Sequence, residues 1–180
     1  MLNCLAEGGT GVAIVPMSCA ISPNPLRVEL MAEHTLEAVM SMPTELFYPV
    51  GNVCCIMVWT AHKPHATSKR DTWFGYWKDD GFIKTKHKGR VDASGGWPTL
   101  RDHWVDMYRN RRVHAGESVL RKVNHDDEWC AEAYMETDYS VLTQSDFKQT
   151  VKKYLMFQLV NETEYKAKEA VEDKGEENDE

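Results

Sequence analysis

The chain has 180 residues, of which 42% are hydrophobic and 27% charged, which suits one ordinary core and argues against global disorder. Its longest apolar runs are about eight residues, where a membrane-spanning helix needs roughly 20, and its start lacks the basic segment and apolar stretch of a secretory signal; both features point to the cytoplasm. The net charge of −7 hides a polarity, because residues 62–122 carry 14 Lys/Arg against 7 Asp/Glu while the segments on either side are acidic.

"MLNCLAEGG" predicts the last turns of a helix, ended at Gly8-Gly9. "TGVAIVP" predicts a short buried strand stopped by Pro16. In "NPLRVELMAEH", Leu26, Leu30 and Met31 share one face of a helix. "TLEAVMSM" predicts a second strand, stopped by Pro43, and "NVCCIMVWT" a third. The first strand–helix–strand unit predicts a right-handed parallel crossover. Only about ten residues separate the second and third strands, too few for a crossover helix, so the third runs antiparallel to the second. Such apolar runs bury both sheet faces and need helices on each side. Three strands do not make that sheet, so the segment reads as one end of a larger α/β sheet.

Residues 62–97 read as rich in loops. "TWFGYWKDDGFIKTKHKGR" predicts a short hairpin around Asp79-Asp80-Gly81, followed by a basic arm. "WPTLRDHWVDMYRNRR" predicts a helix started through Pro98, with Leu100, Trp104, Met107 and Tyr108 as its apolar stripe. "SVLRKV" predicts a strand, and "DEWCAEAYM" and "SDFKQTVKKYLMFQLVNE" predict helices. In the last, Phe147, Val151, Tyr154, Leu155 and Leu159 fall on one side. From Glu162 the chain becomes an acidic tail expected to be disordered. The five cysteines include no Cys-x-x-Cys pair, and the expectation is reduced, buried thiols. His62 and His65 lack a second ligand pair at the spacing a metal site needs, so no metal is expected.

The order of these motifs resembles the N6-adenine DNA methyltransferases of type I restriction-modification systems, the modification subunit. "GGTGVAIVPMSCAI" followed by "LRVELMAEHTLEAVMSMPTELFYPVGNVCCIMVWT" carries the likeness. "TWFGYWKDDGFIKTKHKGR" and "WCAEAYMETDYSVL" extend it, so that it covers about residues 5–160. The resemblance implies the C-terminal portion of a Rossmann-like methyltransferase sheet, with two parallel strands plus an antiparallel last strand. Residues 1–61 would close the catalytic domain, 62–97 form a basic aromatic loop or hairpin region, 98–160 a mostly helical extension, and 161–180 the tail. It also implies S-adenosylmethionine as methyl donor, DNA as substrate, and a specificity subunit or an N-terminal methylase half as partner.

Two parts of the family pattern are not in this sequence. One is the glycine-containing cofactor loop, and the other is the Asn-Pro-Pro-aromatic motif that holds the target adenine. Asn24-Pro25 is the sole Asn-Pro pair, and no aromatic residue follows it; it reads as a helix start. The chain is therefore expected to be inactive by itself, as a truncated or split product. The alternative is a non-enzymatic module that binds DNA or docks onto a separately encoded half. Phe47 and Tyr48, on the loop before the last strand, either wall the pocket of a flipped adenine or cap the core beneath the sheet end. Lys63, Lys69, Arg70, Lys84, Lys86, Lys88 and Arg90 are candidates to follow the DNA backbone, with Lys84, Lys86 and Lys88 thrown to one side by strand alternation.

Overall fold

The computed structural model describes residues 1–136 and 142–159. The chain divides into two units, Met1–Thr137 and Asp138–Glu180. In the first, the apolar runs become strands at the expected places: β1 is Thr10–Pro16, β2 is Thr35–Ser41 and β3 is Cys54–Thr60. Between β1 and β2 lie two helices, the short α1 (Ser18–Ile21) and α2 (Leu26–Glu33).

β1 and β2 point the same way, as expected, but they are not neighbours. β3 lies between them and pairs antiparallel with both. The short β2–β3 connection makes β3 fold straight back along β2, and the other edge of β3 then takes all seven residues of β1, from Thr10 opposite Thr60 to Pro16 opposite Cys54. A bulge in β2 between Leu36 and Ala38 leaves Glu37 out of the ladder.

The larger correction concerns residues 62–97. Thr72–Tyr76 is not part of a loop but a fourth strand, β4, which runs parallel to β2. Its signal is weak in the sequence because it is short, holds a glycine and lies among charges. Burial explains its place: Trp73 and Phe74 are fully buried and pack into clusters on opposite faces of the sheet. Gly75 is required beside them, since a Cβ there would stand 2.7 Å from the Trp73 ring. The hairpin is also displaced. It consists of β5 (Ile83–Thr85) and β6 (Gly89–Val91), so Lys86, His87 and Lys88 form its turn. Asp79 instead makes a local turn by accepting the Gly81 N–H at 3.0 Å.

α3 (Trp97–Asn110) forms as predicted, with proline in its first turn and Trp104 and Met107 buried. It ends at Arg111, whose φ of 50° is left-handed. β7 (Ser118–Arg121) pairs antiparallel with β4 and completes a five-stranded sheet of order β1-β3-β2-β4-β7. The helix expected in "DEWCAEAYM" is only a 3-10 turn, Ala131–Ala133. Tertiary packing overrides propensity there: Trp129 is buried, its backbone N–H donates to Ala20 and its indole N–H to Asn124.

Both faces are covered over β2, β3 and β4, but β1 departs from the buried strand expected of it, with Val12 and Ile14 more than half exposed. α3 packs on Trp73, Trp77 and Val58. On the other face Met31 of α2 and Trp129–Ala131 pack on Leu36, Val39, Met57 and Phe74. In the second unit residues 144–159 are helical, with Phe147, Val151, Tyr154 and Leu155 exposed. The tail predicted from Glu162 lies outside the described residues. No helix among the described residues is long and apolar enough to cross a membrane.

The cysteine expectation holds for three residues and fails for two. Cys54, Cys55 and Cys130 are buried, whereas Cys4 and Cys19 are exposed. Burial, aided by neighbouring thiols, pushes the Cys55 thiol up to about 12. Iodoacetamide at about pH 8 should therefore modify Cys4 and Cys19 of the native chain and spare Cys55; peptide mass analysis reads this, and equal labelling of Cys55 would contradict the packing. Replacing Trp73 by Ala should cost about 3–5 kcal/mol in urea unfolding, since it empties the centre of the α3 face.

Candidate functional site

The topology collects the carboxyl ends of β1, β2 and β4 on one side, where open α/β sheets bind ligands. The β2–β3 connection, residues 42–53, lies at this end. It is a run of tight turns, with Leu46 N–H on Pro43, Tyr48 N–H on Glu45 and Val50 N–H on Phe47, and a cis Tyr48–Pro49 peptide. Phe47 and Tyr48 are each 44% exposed and belong to neither core cluster.

The β5–β6 hairpin reaches this loop. Lys84 Nζ stands 4.3 Å over the Tyr48 ring and 2.9 Å from Glu45 Oε1. The structure thus unites the aromatic loop with the basic hairpin, which the sequence reading treated as separate features. Lys86 and Lys88 are exposed in the turn, not aligned with Lys84 along a strand, because β5 stops at Thr85. Arg90 has a different role. Its guanidinium lies 2.5 Å from the carboxylate of Asp80, both are largely buried, and its charge is spent inside the protein.

Lys63, Lys69 and Arg70 lie elsewhere. They stand at the amino ends of β2 and β4: the Lys63 carbonyl accepts the Thr35 hydroxyl, and Lys69 and Arg70 run directly into β4. There Lys69 and Arg70 join His65, Lys122 and His125 around a cavity of about 500 Å³ beside α2. The seven residues of β2 separate the two ends by roughly 20 Å. The single basic stretch of the sequence is therefore divided between opposite ends of the sheet.

A buried polar chain fixes the site end. Ser41, fully buried at the end of β2, donates to Glu132, whose other oxygen lies 2.8 Å from Lys78. Burial pushes the Glu132 carboxyl up, but the hydrogen bonds from Lys78 and Ser41 outweigh it and leave the carboxyl below its ordinary value. No local sequence signal marks this trio, because its members meet only through the sheet. Glu45 was missed for the same reason.

The histidines flagged in "HKPH" are structural. His65 Nδ1 accepts the Leu36 N–H and Nε2 meets the Val123 carbonyl, a pairing that fits the neutral ring, and burial holds its pKa below the ordinary value. Asn24 Oδ1 accepts the Leu26 N–H at 2.9 Å, consistent with a helix start.

The residues do not fit the cofactor that the resemblance implies. A nucleotide cradle needs glycines in the turn after a strand. Here Gly8 and Gly9 precede β1, at its amino end, and Gly11 is packed against Leu2 within β1.

The family model of the N-6 DNA methylases matches residues 1–164. The type II restriction enzyme and methyltransferase RM.BcgI of Heyndrickxia coagulans is 30% identical over 162 residues, which are 87% of this chain and 25% of that protein. The chain thus spans about a quarter of the length of that relative. Among solved structures, the type I methyltransferase subunit from Streptococcus thermophilus superposes with a TM-score of 0.48 at 14% identity, over 63% of this chain and 23% of that one. The modification subunit of a putative type I restriction enzyme from Vibrio vulnificus gives 0.47 at 15%, over 71% and 29%. The EcoKI M protein gives 0.42 at 18%, over 56% and 22%. With the family model running from the first residue through the whole described sheet, this chain belongs to the N-6 DNA methylase family.

Proposed function

We propose that the chain supplies the closing part of the catalytic domain of a restriction-modification DNA adenine N6-methyltransferase, and that its loop 42–53 forms one wall of the pocket for the extruded adenine. The observation that carries this reading is the pair of half-exposed rings, Phe47 and Tyr48, beside Lys84 at the carboxyl ends of the strands. An enzyme that modifies a base must take it out of the stack, and aromatic faces recover part of the unstacking cost. Phe47 is the stacking ring. One face of Tyr48 is already occupied by Lys84, and no ring or cation partner of Phe47 is found among the described residues. Lys84, Lys86 and Lys88 follow the nearby phosphates, which gives affinity without sequence reading. Lys63, Lys69 and Arg70 lie at the wrong end of the sheet to touch the same phosphates.

The methyl donor and the opposite wall come from an N-terminal methylase half, and sequence choice from a specificity subunit. The free edge of β1 supports the first of these partners. Among the described residues no strand pairs with it, and Val12 and Ile14 are more than half exposed there. Its alternative, a docking module with no catalytic share, separates from this reading by experiment.

Reconstituted with an N-terminal half, F47A should methylate DNA about 5- to 150-fold more slowly, the equivalent of one lost base stack. Fluorescence of 2-aminopurine at the target should fall with it; unchanged rates and fluorescence would leave the docking module as the answer. In filter binding, the triple change K84A, K86A and K88A should lower the slope of log K against log salt by roughly 2.7. The triple change K63A, K69A and R70A should leave that slope alone. The isolated chain should show no heat of S-adenosylmethionine binding, and tight binding would refute the division of labour.

A further inference from the structure

We propose that His103, His114 and Glu117 form a binding site for a divalent transition-metal ion, zinc above others. Glu117 Oε2 lies 3.1 Å from His103 Nε2 and 3.3 Å from His114 Nδ1, and the three atoms all fall within 4.8 Å of one another. Zinc bound by imidazole and carboxylate at about 2.0–2.2 Å has tetrahedral edges of roughly 3.3–3.6 Å. Two edges are therefore close to that length before any ion is added, and the third is no longer than 4.8 Å.

The ligand set favours the same ions. Two imidazole nitrogens and one carboxylate oxygen suit zinc and its neighbours better than magnesium or calcium, which prefer oxygen throughout. Two imidazoles also converge on one oxygen of a single carboxylate. Hydrogen bonds from the two rings to Glu117 gather the three groups, and an ion would take the place of the shared protons.

The backbone holds the ligands in place. His103 is on the middle of α3, and His114 and Glu117 are on the turn that leads into β7. In that turn the Glu117 N–H donates to His114 at 3.0 Å, and the His114 N–H donates to Ser118 Oγ at 3.0 Å. Ser118 Oγ donates to the Arg112 carbonyl at 2.8 Å. The Glu117 carbonyl accepts the Tyr76 N–H at 2.8 Å, which ties the turn to the end of β4. Gly116, at φ +79°, makes the tight bend that only a glycine adopts freely. Ligands fixed in this way lose little freedom on binding.

All three side chains are also accessible, with His103 39%, His114 48% and Glu117 49% exposed. A hydrated ion can enter, keep water in its remaining position, and clamp α3 to the sheet at the same end as the aromatic loop. The clamp does not rest on the base-pocket reading, since its binding is read without DNA or methyl donor.

The test uses the full chain without a histidine tag, stripped with chelator, in a C4S/C19S background that removes the exposed thiols. Calorimetric titration with zinc chloride should show about one ion per chain, the occupancy of a single three-ligand site. H114Q and E117Q should each weaken binding at least tenfold, with circular dichroism unchanged and the zinc-dependent rise in Tm lost. No binding by the parent chain, or equal binding by both variants, overturns the proposal. Should a variant fail to fold, histidine NMR of the parent chain decides. Zinc must then shift the His103 and His114 imidazole signals, and shifts confined to other histidines refute the site.

Discussion

The length of the β2–β3 connection is the constraint on which the rest depends. A dozen residues reach back along an antiparallel neighbour but do not cross a sheet face as a helix does. β3 must therefore return beside β2, and it arrives with one edge free. β1, pointing the same way as β2, fills that edge over its full length. The consequence for function is positional. A connection that short has to sit at the carboxyl end of β2, where β1 and β4 also end, so Phe47 and Tyr48 are placed at the mouth of the sheet by topology alone. Ser41, Glu132 and Lys78 then lock the last residue of β2, immediately before the loop begins.

The second dependence is the cover on the α2 face. Arg27 is buried to 3% exposure, an unusual place for a guanidinium. It survives there because its NH2 group donates to the Ala20 and Asp127 carbonyls and its plane lies 3.8 Å from the centre of the Trp129 ring. Burial lowers its pKa, yet two carbonyls and one ring face hold the guanidinium in place. One residue thereby joins α1, α2 and the segment that carries Trp129, a segment a hundred residues further on in sequence. This union also explains why "DEWCAEAYM" does not become a helix: its backbone groups are taken by α1 and its tryptophan by Arg27.

What was legible in the sequence follows how local each signal is. β2, β3 and α3 were readable because their apolar spacing repeats over seven or more residues, and the antiparallel return of β3 from loop length; β1 and α2 were placed by the same signal, but Val12, Ile14 and Leu26 are exposed and Arg27 is buried. β4 was not readable as part of the main sheet, since five residues among charges and a glycine read as one arm of a local hairpin until Trp73 packs against α3. The insertion of β3 between β1 and β2 was also hidden, because the direction of a strand is set by its connections and its neighbour by competition among edges. At the site, the rings of Phe47 and Tyr48 were visible as residues, but the loop's tie to the hairpin was not: Lys84 and Glu45 are 39 positions apart. The basic stretch misled for a related reason. Charges close in sequence were read as one surface, while β4, unseen, carries the chain from one end of the sheet to the other between Arg70 and Lys78.

The two ion pairs of the hairpin differ in a way that bears on its use. Arg90 and Asp80 are largely desolvated, and removing one partner would leave a buried charge at a cost of about 3–5 kcal/mol. Lys84 and Glu45 are each nearly half exposed, and a pair of that kind contributes only about 0–1 kcal/mol. The hairpin is thus anchored by one arginine and left adjustable at one lysine. A phosphodiester, a monoanion like Glu45, can take Lys84 with little loss to the fold, because the pair it replaces is solvent-exposed. When Lys84 moves, the face of Tyr48 that it covers is released. The low cost of breaking this contact leaves the aromatic surface of the loop free to open without disturbing Arg90 and Asp80.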